Sequence, residues 1–88
     1  MCRNKHAQNR AIEDAKRRTP NVIRVYDTGD GYDLVGLVLL LDATTAQLRT
    51  VHADGSTSFF DEVKRWDDPS NREICDMFHL DSHFYRIA

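Results

Sequence analysis

Disulfide chemistry has little to work with in this chain. Its 88 residues include two cysteines, Cys2 and Cys75, placed near opposite ends. A secreted domain of this length usually carries more, at tighter spacing, so reduced thiols and a cytoplasmic address are expected. Long apolar runs are missing as well. The longest is Leu37-Val38-Leu39-Leu40-Leu41, far short of the about 20 residues that a membrane-spanning helix needs. Residues 2–10 are polar and lack the apolar core of a secretory signal, so no membrane association is expected. With four glycines, isolated or paired in turns, there is no phosphate-binding glycine loop. No serine or cysteine stands at a readable spacing from a histidine, as a nucleophile would. An enzyme is therefore not expected, and no cofactor is implied.

The composition, 41% hydrophobic and 30% charged, is that of a globular chain. Its length makes one domain, 1–88. The net charge of −2 is unevenly spread. Residues 1–20 carry six cations against two carboxylates, a balance of +4, and residues 21–88 carry six against twelve, a balance of −6. A basic arm on an acidic body marks either a contact with nucleic acid or an acidic partner, or an arm that docks on its own body.

Residues 1–19 are expected to form a basic helix, regular from Asn4 to Arg18. Ala7, Ala11, Ile12 and Ala15 make one narrow apolar stripe. Lys16, Arg17 and Arg18 favour the negative end of the helix, and Pro20 marks the stop. Strand formers fill 21–27, and Gly29-Asp30-Gly31 supplies a turn. The strand from Tyr32 to Asp42 is apolar on both faces, with Leu34, Val38 and Leu40 on one and Val35, Leu37, Leu39 and Leu41 on the other. Such a strand is covered on both sides, and Gly36 is the expected bend or bulge. A further strand spans Gln47 to Ala53, with Leu48 and Val51 on opposite faces. Asp54-Gly55 signals a hairpin returning through Ser56 to Phe60. Asp61-Glu62 then reads as an interruption before a last short strand, Val63 to Trp66. Ser70 with Glu73 fits a capping box opening a helix at 69–80, with Ile74, Met77 and Phe78 as its apolar stripe. Residues 83–88 are a terminal strand or a tail.

The predicted fold is mainly β with flanking helices (α+β): an N-terminal helix, a small, strongly bent, four- or five-stranded antiparallel barrel over 21–66, and a short C-terminal helix. The strand around Gly36, Val38 and Asp42, then Leu48, then the segment from Asp54 to Val63 closing on Trp66, resembles the SH3-like and Sm-like barrels. More specifically, the G-x-V strand followed by a polar turn and by Phe60-Asp61-Glu62-Val63 resembles the YolD-like proteins. That resemblance implies a bacterial or mobile-element accessory protein linked to the DNA-damage response. The RNA-reading residues of Sm proteins are not matched: Thr45 and Ala46 stand where a Met-Asn pair would be, and Lys64-Arg65-Trp66 where an Arg-Gly pair would be. Fold by itself does not carry the function.

Several constellations have bland readings that outweigh the chemical ones. Asp27-Thr28-Gly29 spells the aspartic-protease triplet, but Asp30 follows where that site suppresses charge, so a turn is expected. Cys75, His79 and His83 would share a helical stripe, and Cys2 with His6 repeats the four-residue spacing. A zinc site would need both sets brought together, and none is expected. Asp27, Asp30 and Asp33 lack the calcium-loop spacing.

The contact residues put forward for a partner or nucleic acid are Arg10, Lys16, Arg17, Arg18, Lys64 and Arg65. Trp66 and Phe59 are read as core. The expected function is that of a small non-enzymatic regulator that binds a protein partner. The alternatives are a barrel that binds nucleic acid through its basic helix and a phage-encoded inhibitor whose acidic body mimics phosphate. An exposed edge strand would also allow a homo-oligomer.

Overall fold

In the computed structural model, which describes residues 5–19, 21–29, 32–65 and 68–88, the chain forms α1 (Lys5–Arg18), β1 (Val22–Asp27), β2 (Asp33–Leu40), β3 (Thr45–Val51), β4 (Thr57–Lys64), α2 (Asn71–Met77) and β5 (Tyr85–Ile87). The five strands make one antiparallel sheet in the order β4-β3-β2-β1-β5. The mainly-β α+β fold, with a helix in front and a short one late, is the one expected. The expected stop at Pro20, the second half of the Gly29-Asp30-Gly31 turn, Trp66 and Cys2 lie outside the described residues.

β2 organises the molecule because both its faces are apolar, and each face has its own core. One core gathers Val25 and Ile87, Val38, Ala46 and Leu48, and Val63, with Ile74 and Phe78 from α2 and its end. All five strands contribute, including the two at opposite ends of the order, so the sheet curls around this core and α2 plugs it. The second core lies between the other face and α1, where Ala11, Ile12 and Ala15 meet Leu34, Leu37, Leu39 and Val51. Each fully buried leucine or valine stabilises the fold by about 1.5–3 kcal/mol.

Strict alternation would put Leu34 with Val38. It sits instead with Leu37 and Leu39, because β2 bulges at Val35: Val25 pairs with Gly36 and Tyr26 with Leu34. One extra residue reverses the faces of everything before it. Gly36 is placed where a Cβ would lie 3.2 Å from the Phe78 ring.

β4 is a single strand, so the expected interruption at Asp61-Glu62 does not occur. Arg49 pairs with Phe59 and Leu48 with Asp61, which leaves Phe60 as a bulge rather than a break. An edge strand accommodates those charges because they face solvent.

α1 lies along β2 and is tied to both of its ends. Buried Gln8 accepts from the Leu34 amide (3.1 Å) and donates to Asp33 (3.2 Å). Thr19 donates to the Leu40 carbonyl (2.6 Å). Ala7 comes close to the β3–β4 hairpin, where a Cβ on Gly55 would lie 2.6 Å from the Ala7 carbonyl oxygen. Gly55 also takes φ +88°, and its amide bonds the His52 carbonyl (3.0 Å), so this position suits glycine twice over.

α2 is shorter than the expected 69–80. Ser70 caps it by accepting from the Glu73 amide (3.1 Å). It stops at Met77 because His79 turns to φ 60°, while Leu80 donates to the Cys75 carbonyl (2.9 Å) and His79 to that of Asp76 (3.1 Å). This is the Schellman closure, made with histidine in place of glycine. Residues 85–87 are a strand rather than a tail, paired to Val25, Tyr26 and Asp27.

Candidate functional site

The sheet has two outer edges, and they are treated differently. At β5 the Asn71 side chain acts as a peptide group: it donates to the Tyr85 carbonyl (3.1 Å) and accepts from the Ile87 amide (2.8 Å). The Cys75 thiol also points at the Tyr85 carbonyl (3.8 Å). Burial pushes that buried thiol above its ordinary value, so it is protonated and inert at neutral pH.

Among the described residues the β4 edge has no such cover. Asp61 takes the Glu62 amide (2.8 Å), and the remaining outer edge has no hydrogen-bond partner among the described residues. Phe59, expected in the core, is 59% exposed, because it lies on the outermost strand opposite Arg49, and Phe60 is 37% exposed. Phe60 leans on Phe78, with ring centroids 5.3 Å apart. Asp61, Glu62 and Lys64 are exposed beside them.

The cations singled out in the sequence do not form one patch. Arg10, Lys16, Arg17 and Arg18 are exposed on α1, and Arg17 pairs with Asp14 (3.0 Å). Among the described residues one ion pair ties α1 to the sheet, Lys5 to Asp33 (3.3 Å). The helix is therefore docked by its alanine stripe and Gln8; Arg10, Lys16 and Arg17 are exposed on it, and Arg18, also exposed, borders the cleft between α1 and the sheet. Lys64 is exposed on β4 opposite Thr45. Arg65 is spent on the β2–β3 turn, donating to the Asp42 carbonyl (2.7 Å).

A cation that sequence reasoning passed over completes the picture. Arg49 on β3 is half-buried in a cleft of about 120 Å³ between α1 and the sheet, lined also by Asp14, Arg18, Leu39, Ser56 and Thr57. Its guanidinium donates to Gln47 (2.9 Å) and to the Thr57 hydroxyl (3.0 Å), both neutral acceptors. Burial, and then the positive charge of Arg18, lower its pKa from the ordinary value. No local pattern marks Arg49; its partner Arg18 is 31 positions away and arrives only when α1 docks.

The suspected catalytic and metal constellations resolve into local structure. Asp27 accepts from the Gly29 amide (2.8 Å), capping its own turn. Cys75, His79 and His83 do not share a helical stripe, since α2 ends at Met77. Among the described residues, no three His, Cys, Asp or Glu side chains gather as a metal-binding group, and no helix is long and apolar enough to cross a membrane. Asp42 closes the β2–β3 turn, and the Thr44 amide and hydroxyl and the Thr45 amide hold its carboxyl below the usual carboxylate range. Ala46, at the place of an RNA-reading asparagine in Sm proteins, is fully buried.

No family model matches the chain, and neither a curated protein nor a solved structure matches it.

Proposed function

We propose that the protein is a small non-enzymatic, cytoplasmic regulator that acts by binding a protein partner along β4. The observation that carries this reading is the unsealed edge at Thr57–Lys64, with Phe59 and Phe60 exposed on it. An extended segment of the partner adds to this edge through main-chain hydrogen bonds, and side chains set its identity. Exposed Asp61 and Glu62 select a basic segment, and the bulge at Phe60 with its charged neighbours discourages indiscriminate pairing. The Phe60-Asp61-Glu62-Val63 segment that resembles the YolD-like proteins is part of this edge. An accessory role in a bacterial DNA-damage response belongs to the same proposal.

The test is capture from the native host with tagged protein, followed by reconstitution from purified components. A stoichiometric complex with a basic protein is expected, weakened at least tenfold by the double change Asp61→Lys and Glu62→Lys. That variant should melt as the parent does, since both side chains are exposed. Failure to recover a partner above an untagged control, or a complex indifferent to the charge reversal, refutes the reading.

A further inference from the structure

Arg49 and Phe59 are directly paired across β3 and β4. Opposite residues of an antiparallel pair share a face, with Cβ atoms about 4.5–5.5 Å apart. That face is the one covered further along by α1, because Val51, two residues from Arg49, points into the α1 core. An exposed aromatic ring therefore stands on the same face beside Arg49, next to the cleft that Arg49 and Arg18 line but outside its lining.

Positive charge is in excess in the cleft lining, where Arg18 and Arg49 face one carboxylate, Asp14. Arg49 is held in place by a side-chain amide and a hydroxyl, neither of which neutralises it. Arg18 has no ion pair among the described residues, and Asp14, the carboxylate in the lining, is engaged by Arg17. Two guanidiniums with the Thr57 hydroxyl beside them match a dianionic tetrahedral group better than a single carboxylate, while the Ser56 hydroxyl donates to Asp54 (2.6 Å). A fixed guanidinium needs little reorganisation to accept it.

We propose that this cleft binds the phosphate of a nucleotide, with Arg18 and Arg49 holding the phosphate and Phe59 stacking the base. Base–aromatic stacking tolerates any base, so the site reads phosphate and ring rather than sequence. It uses residues other than the Asp61-Glu62 pair whose charge reversal tests the docking edge, and stands or falls separately from it.

The experiment is titration of the intact protein, followed by amide chemical shifts, with inorganic phosphate, adenosine monophosphate and a ten-residue oligothymidylate. Both nucleotide ligands should shift Leu39, Arg49, Thr57 and Phe59. Arg18→Gln, a change at an exposed position, should weaken both at least tenfold, and Arg49→Gln should do the same if its melting temperature holds. Phe59→Ala should weaken the nucleotides several-fold and leave inorganic phosphate unchanged. Arg10→Gln, away from the cleft, should change nothing. An oligonucleotide that binds at least tenfold more tightly than the monophosphate identifies the source as a strand, and equal affinities identify a free nucleotide. Absence of shifts at millimolar ligand, or binding unmoved by both Arg18→Gln and Phe59→Ala, overturns the proposal.

Discussion

The two edges of this sheet are made of the same backbone and finished in opposite ways. β5 is three residues long, lengthened by reciprocal bonds between Arg24 and Ala88, and its outer side is taken by Asn71. β4 is eight residues long, its outer side has no cover among the described residues beyond the Asp61 carboxylate on the Glu62 amide, and it shows two phenylalanines to solvent. Unpaired strand edges are templates for further pairing, and natural proteins blunt them. One edge is sealed by a dedicated side chain, and the longer one is the edge on which the proposed partner docks.

The largest test of that contrast is Phe78→Ala. Phe78 fills the space over Gly36 and supports Phe60 at the bulge. Removing a buried ring costs about 3–5 kcal/mol, read as a lower urea midpoint. Amide exchange should quicken along β4 more than along β5. Equal quickening on both edges would show that Phe78 supports the whole core and not the open edge in particular.

Asn71→Ala attacks the other side of the comparison. It strands the Ile87 amide, at a cost of about 1–3 kcal/mol, while the Tyr85 carbonyl keeps Arg86 (2.9 Å) and the Cys75 thiol as donors. Cys75 reports on this edge: its buried thiol should resist labelling in the native protein and label faster in the variant, measured in a Cys2→Ser background. An unchanged labelling rate would mean that β5 is held by β1 alone.

The smallest effect concerns the turn before β3. The folded pKa of Asp42 lies below its ordinary value of 3.8. Its contribution is therefore complete above that ordinary value and is lost as pH falls through the lower folded one. Acid unfolding between about pH 5 and pH 2 should be less steep in Asp42→Asn than in the parent, and the two should differ by a constant amount above that window.

Much of this fold can be read from local chemistry. The alanine stripe of α1, the Asp54-Gly55 hairpin and the Ser70 cap each act within a few residues, and each forms where expected. Features that depend on distant pairing escape the same reasoning. The bulge at Val35 exists because of the register with β1, so alternation alone puts Leu34 on the wrong face. Asp61-Glu62 reads as a break unless β4 is known to be an edge. α2 is cut short by a histidine taking a conformation normally marked by glycine. For the site, Arg18 was among the residues expected to matter, but Arg49 is an unremarkable strand arginine until α1 brings Arg18 beside it.

Asn71 has a consequence for assembly order. A subunit with one open edge joins one strand and is then complete, so its complexes end after a single addition. If the second edge were also open, each subunit would offer a donor side and an acceptor side, and head-to-tail addition without closure yields filaments. On the proposed docking, one amide side chain would act as a chain terminator for strand-to-strand assembly.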